Sequence, residues 1–282
     1  MEYKELSNGI LIPTLGYGTY KTAADEEGLM IIKDAIKAGY RHIDTAQGYK
    51  NEQLVGKAIR ESGIDRSDFF VTTKIWNDNQ GYDKTRQSLE NSLKELNIGY
   101  IDLVLIHWPI PQGKDDVWQK LNQETWKAME EFYQAGLIKA IGVSNFLEHH
   151  LNNLLETAQI KPMVNQLEIH PYYQQRQIVR YCQDNDIVVE SWGPLMRGKA
   201  FKDERLIELA KRNNLSVAQL CIRYCLDRGI VTLQKSSKFE RMVDNAKVFG
   251  YHLDEYTTNE LNKLDTDCFY TFHPDRNKEW FK

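Results

Sequence analysis

"YRHIDTAQGYKNE" (residues 40–52) passes from a short apolar step, through a polar turn, toward a helix. Residues 41–44 read as a strand that ends on an acid, Asp44. Tyr49 falls in the turn beyond it, and Asn51 and Glu52 read as the start of the next helix. The same unit recurs along the chain. Short apolar runs stand at 15–19 (LGYGT), 41–44 (RHID), 69–75 (FFVTTKI), 101–108 (IDLVLIHW), 139–144 (KAIGVS), 163–168 (MVNQLE), 187–191 (IVVES) and 230–234 (IVTLQ). From Leu15 to Ile230 they recur about every 31 residues, the size of a strand plus its crossover helix.

Amphipathic patterns fill the gaps. Residues 25–39 place Leu29, Ile32, Ala35 and Ile36 on one face and stop at Gly39. Residues 85–97 align Leu89, Leu93 and Leu96. Residues 216–229 open on a candidate serine cap and end at Gly229. Residues 203–214 predict an additional helix between the seventh and eighth strands. Parallel neighbours need long crossovers, so strands alternating with helices predict a parallel sheet. Eight units predict a closed α/β (β/α)8 TIM barrel, built as one domain over residues 1–282. The rival is an open doubly wound sheet. A dinucleotide-binding sheet of that kind usually carries GxGxxG after its first strand, and LGYGTY has Gly16 and Gly18 but no third glycine in place. The opening LSNGILIPTLG (6–16) predicts a β-hairpin turning at Asn8-Gly9, set at the bottom of the barrel.

The net charge of −4 shows no basic bias, which argues against a nucleic-acid partner. Residues 1–10 carry no apolar signal region and no stretch reaches membrane-spanning length. A cytoplasmic protein is expected. The four cysteines, Cys182, Cys221, Cys225 and Cys268, form no CxxC pair and read as thiols in a reducing compartment.

In such a barrel the carboxyl ends of the strands build the active site. Asp44, Lys74 and His107 each close an apolar run, in consecutive units, and Tyr49 lies just beyond the first. Taken singly, Asp44 could cap a helix, Lys74 pair with a surface acid, and His107 be a satisfied core histidine. Their joint position favours chemistry. A phenol titrates near 10; a lysine charge beside it would lower that value, and a carboxylate would hold the lysine. Histidine can donate a hydrogen bond to a carbonyl oxygen. Together they would protonate that oxygen while a cofactor supplies hydride, which no side chain can do. Tyr20, Trp76 and Trp108 follow strand ends and would wall an apolar pocket.

At these motifs the chain resembles the aldo-keto reductase family. GYRHIDTAQGYKNEQLVG (39–56) is similar to its first signature, TTKIW (72–76) and LVLIHWP (103–109) to the segments that carry its lysine and histidine, GLIKAIGVSNF (136–146) to its second, and LQKSSKFERMVDNAKVF (233–249) to its third. It looks most like the bacterial glyoxal reductase and 2,5-diketo-D-gluconate reductase-like members. The resemblance implies NADPH-dependent reduction of aldehydes and ketones: small reactive aldehydes, dicarbonyls such as methylglyoxal, and keto sugars. It implies Tyr49 as general acid, Lys74 and Asp44 as its tuning pair, and His107 as the carbonyl-orienting group. It also implies a nicotinamide site at Ser144, Asn145, Gln166 and Trp192, with Gly18, Thr19 and Tyr20 beside the ribose. Lys235, Ser236 and Arg241 would clamp the adenosine 2′-phosphate, and Asp44, Leu195, Ser237 and Asn245 would be further cofactor contacts. Tyr20, Tyr49, Trp76, His107 and Trp108 would meet the substrate.

Two departures from the family pattern stand out. Gly193 replaces a serine, and Gln234 replaces a proline that would stiffen the approach to Lys235, so a freer chain and weaker cofactor binding are expected there. No metal is expected: His149 and His150 read as a solvent-facing pair, and Glu168 with His170 lacks a further ligand. The aromatic tail (268–281) is expected to fold over the mouth, and the protein to be a monomer. A second reading, a redox-sensing or structural cofactor-binding protein with little turnover, stays open.

Overall fold

The computed structural model describes residues 2–275. Eight parallel strands close into a barrel: β3 (Leu15–Gly18), β4 (His42–Asp44), β5 (Phe70–Ile75), β6 (Ile101–Ile106), β7 (Ile138–Ser144), β8 (Val164–Glu168), β9 (Val188–Trp192) and β10 (Val231–Gln234). β10 pairs with β3 to complete the ring, with Thr232 opposite Leu15 and Gln234 opposite Tyr17. The expected barrel is therefore the observed one. Helices α1 (Glu26–Lys37), α2 (Glu52–Arg60), α3 (Tyr82–Leu96), α4 (Trp118–Gln134), α5 (Glu148–Leu155), α6 (Arg176–Asp184) and α8 (Val217–Asp227) make the crossovers. The additional helix is present as α7 (Glu204–Arg212), capped by Asp203. Two more helices, α9 (Phe239–Asn245) and α10 (Glu255–Asn262), follow β10.

Local chemistry sets the helix ends. Asp25 accepts the Gly28 N–H at 2.8 Å, and Ser216 and Gln219 cap each other reciprocally. α3 starts at Tyr82, three residues before the apolar stripe shows it, because Gly81 turns the chain there with φ +99°.

Successive side chains in a strand point to opposite faces, and this splits the core in two. Tyr17, Ile43, Val71, Val104, Ile141 and Val189 face outward and pack under the helices. Phe70, Leu103, Ala140, Val164, Val188 and Val231 face inward at the lower end. The hairpin of β1 (Tyr3–Glu5) and β2 (Leu11–Pro13) closes that end. Its Leu6 and Ile12 join the same inward cluster, and Gly9 in the turn takes φ +84°. The barrel floor is thus apolar and plugged.

Replacing the fully buried Ile12 with alanine is expected to cost about 2–4 kcal/mol. A urea midpoint lowered at constant m-value checks this.

Candidate active site

Higher in the barrel the inward positions turn polar. His42 and Asp44 of β4, Thr72 and Lys74 of β5, Gln166 of β8 and Glu190 of β9 are all buried. Lys74, with 1% side-chain exposure, places Nζ 2.6 Å from each oxygen of Asp44 and 2.9 Å from the Thr45 carbonyl. Its three protons each have an acceptor. Asp44 Oδ2 also accepts from Gln166 Nε2 at 2.9 Å.

Tyr49 sits on a single 3-10 turn, Gln47–Tyr49, directly above this pair. Its ring centroid is 5.3 Å from Lys74 Nζ, 5.8 Å from the His107 ring and 5.1 Å from the Tyr20 ring. His107 follows β6 and is edge-on to Trp76 at 5.1 Å. The four expected groups therefore converge. Two residues not anticipated as site residues hold the turn. Gln47 accepts from the Trp76 N–H (3.0 Å) and Asn79 Nδ2 (2.8 Å), and donates to Ser92 Oγ (3.0 Å). Asn51 accepts from Thr45 Oγ1 (2.7 Å) and donates to the carbonyls of Thr19 and Thr22 (3.1 Å each). Gly48 is also required: a Cβ there would lie 2.1 Å from the Trp76 ring.

The electrostatics differ from expectation in one respect. The Tyr49 hydroxyl is pushed well above 10, first by burial, then by the Asp44 charge, then by Tyr20. Asp44 embraces Lys74 with both oxygens, which offsets part of the lysine charge at the phenol. His107 is held well below 6.5 by burial and then by Lys74, so its imidazole is neutral. Its Nδ1 is buried with no hydrogen-bond partner among the described residues.

Around the mouth, Ser144 Oγ donates to the Gln166 carbonyl (2.9 Å). Asn145, at φ +63°, donates to the His107 carbonyl (3.0 Å) and accepts from Trp192 Nε1 (3.0 Å). Lys235 donates to the Tyr20 carbonyl and so bridges the loops after β10 and β3. Ser236 caps Lys238 N–H at 3.1 Å, and Ser237 and Arg241 are exposed nearby. Phe272 meets Trp108 edge-on at 6.5 Å. The Tyr270 N–H is held by Glu168 Oε1 at 2.9 Å. Residues 268–275 therefore reach the mouth, as expected; residues 276–281 of the tail lie outside the described residues.

The chain is similar to known proteins over most of its length. The Aldo/keto reductase family model matches residues 14–266. The chain belongs to the aldo/keto reductase family. It is 44% identical to glyoxal reductase of Bacillus subtilis, over 93% of this chain and 92% of that one. An aldo-keto reductase from a Medee basin deep-sea metagenome library superposes with a TM-score of 0.91 at 39% identity, over 97% and 98% of the two chains. A Bombyx mori aldo-keto reductase solved in complex with NADP gives 0.87 at 34% identity, over 97% and 96%.

Against that family pattern two expectations need correcting. Gln234 does not loosen the chain. It is 1% exposed, lies in the β10 ladder, and its Oε1 accepts from Asn245 Nδ2 at 2.9 Å. Asn245, expected at the cofactor, is buried and donates inward to that glutamine. The His149-His150 pair does not simply face solvent either. His150 is fully buried, and its Nδ1 accepts the Leu147 N–H at 3.1 Å. The ring hydrogen therefore sits on Nε2, which faces Asp275 Oδ1 at 3.1 Å. His149, His150 and Asp275 are close enough together to suggest a metal site, but this tautomer leaves His150 Nε2 without a free lone pair; His149 Nε2 makes the hydrogen bond to Asp275 Oδ1, at 3.0 Å, that latches the C-terminal segment. Gly193 has φ +73°, a backbone region that strains a serine.

Buried titratable groups held neutral set a pH optimum for stability. Burial, above all, holds His42 down at about 3, and His107 is also depressed. Unfolded histidine titrates near 6.5, so below that pH the unfolded chain gains two protons that the native state refuses, and stability falls. Burial, then Asp44, holds Glu190 up at about 8. Its ordinary value is 4.5, so between these values the native state keeps a proton that the unfolded chain releases, and stability falls as pH rises. The histidines outweigh Glu190 by one proton below 6.5, and only Glu190 acts between 6.5 and 8. Stability is expected to peak near pH 6.5, declining about 1.4 kcal/mol per unit above it and more steeply below it, where burial also holds His150 down. Urea midpoints across pH check the peak and its slopes.

Proposed function

We propose that the protein reduces the carbonyl group of small aldehydes and dicarbonyls, with NADPH as hydride donor and Tyr49 as general acid. The convergence of Tyr49, Lys74, Asp44 and His107 at one barrel mouth carries this reading. The names of similar proteins support the substrate class: glyoxal reductase, and methylglyoxal reductase DkgA of Escherichia coli, 41% identical over 93% of this chain and 92% of that one.

The residues present fit the dinucleotide. The Trp192 indole is partly exposed at the mouth, beside amide groups on Asn145 and Gln166. Lys235, Arg241 and the hydroxyls of Ser236 and Ser237 offer cations and donors for a phosphate dianion. When bound, the cofactor supplies the hydride that no side chain can. The protein does the rest. His107, kept neutral, donates one N–H to the carbonyl oxygen and aligns it. Tyr49, kept fully protonated by burial, gives its proton to that oxygen as negative charge develops on it. Lys74 stabilises the phenolate left behind, and Asp44 keeps Lys74 in place. Tyr20, Trp76, Trp108 and Phe272 wall the approach with rings, which suits short, partly apolar carbonyls. All four groups come from one chain, so the site is complete in a monomer.

Tyr49→Phe is expected to lower kcat by about 10²–10⁴-fold while NADPH still quenches protein fluorescence. An unchanged rate would remove the assigned acid. NADPH binding without turnover of methylglyoxal, phenylglyoxal or a nitrobenzaldehyde would leave the redox-sensing reading in its place.

Lys235→Ala and Arg241→Ala are each expected to raise the KM for NADPH roughly tenfold and to spare NADH. Equal effects on both cofactors would refute the phosphate contact.

A further inference from the structure

Below Asp44 lies a second carboxyl group that the carbonyl chemistry leaves unused. Glu190, in the middle of β9, is fully buried. Its Oε2 is 2.6 Å from Gln166 Nε2, and that nitrogen is also 2.9 Å from Asp44 Oδ2. One amide group therefore joins two carboxyls, one N–H to each. Both neighbours are carboxyl oxygens, so the nitrogen of Gln166 must face them. Its donors are then spent, and its own oxygen is the atom left to accept from a ligand.

The other oxygen of Glu190 shows where a proton sits. Oε1 lies 3.4 Å from His42 Nε2 and has no hydrogen-bond partner among the described residues. On its other side His42 places Nδ1 3.3 Å from the Pro13 carbonyl. A carbonyl only accepts, so Nδ1 carries the ring hydrogen, and the Nε2 lone pair accepts from Thr72 Oγ1 at 3.1 Å. An ionised Glu190 would leave Oε1 as a buried negative oxygen with no donor, because the nitrogen it faces is an acceptor already bonded to Thr72, and it would lie beside the charge of Asp44. A proton on Glu190 removes that charge. Burial acts in the same direction on both groups, raising Glu190 and depressing His42. The charged and titratable groups around Glu190 are His42 and Asp44 from β4 and Lys74 from β5; from β10 only Val231 and Thr232 stand opposite β9 here.

We propose that Glu190 is a positioning residue that holds a proton at neutral pH. As a neutral acid it fixes the Gln166 amide for the nicotinamide and leaves the floor of the site with one negative charge, balanced by Lys74. When it ionises, the floor gains an uncompensated negative charge, which favours the oxidised, positively charged ring over the reduced, neutral one. This rests on the cofactor reading above.

The test is the ratio of the Kd values for NADP⁺ and NADPH, read by protein fluorescence at several pH values either side of about 8. The ratio cancels titration of the 2′-phosphate and of Lys235, which both forms share. Tyr49 and His107 titrate outside this window. In the wild type, rising pH is expected to shift the ratio toward NADP⁺ on the order of tenfold, the scale of one partly screened charge. Glu190→Gln mimics the acid form, with an oxygen for Gln166 and no charge to lose, and is expected to flatten the profile. A wild-type ratio independent of pH, or an unchanged step in the variant, overturns the proposal. Failure to bind either cofactor at any pH defeats the function itself. If the variant does not fold, the infrared spectrum of the wild type decides. A buried carboxylic-acid carbonyl band at neutral pH that fades above about 8 supports the proposal; its absence at neutral pH overturns it.

Discussion

An ammonium group enclosed by the barrel governs the upper half of this structure. A lone charge of that kind costs many kcal/mol out of water, and Lys74 is stable only because Asp44 and the Thr45 carbonyl take all three of its protons. Those acceptors are fixed in turn. Gln166 holds Asp44, and Asn51 holds Thr45. Buried ion pairs can often be exchanged for apolar residues with little loss of stability. The packing of the barrel therefore does not explain this one, whereas the proposed proton transfer from Tyr49 would.

The geometry of a parallel barrel makes such a site possible. Period-two alternation sends every second side chain inward. The lower inward positions are filled by Phe70, Leu103 and Val164 and sealed by Ile12, so stability is secured at one end. The upper positions are then free to be polar, provided each group is paired. The turn over them is held by side-chain amides rather than by regular structure. Gln47 ties Tyr49's turn to Trp76, and Gly48 lets the indole pass against the backbone. At the rim, Glu168 and the His149–Asp275 latch bring the C-terminal segment beside Trp108.

The strands, the crossover helices and the four converging groups were legible because each rests on local pattern: an apolar run, its length, and the residue that ends it. Where reading failed, distant neighbours decided. Gln234 looked permissive beside an expected proline, yet Asn245, eleven positions on, pins it. His150 looked exposed beside another histidine, yet Asp275 covers it from the end of the described chain. Glu190 did leave a local trace: a charged residue inside an otherwise apolar parallel strand signals a buried partner. Gln47 and Asn51 left none, since polar residues in a turn are ordinary.

The sequence by itself determined the barrel, the order of its strands and the strand ends that carry acid, lysine and histidine, because periodicity and crossover length are properties of consecutive residues. The tertiary structure alone decided the protonation of these groups. Tyr49 is raised rather than lowered, His42 and His107 are neutral, and Glu190 keeps its proton. Those states depend on how deeply each group is buried and on charges brought within a few ångströms from other strands, and neither quantity exists until the barrel has closed.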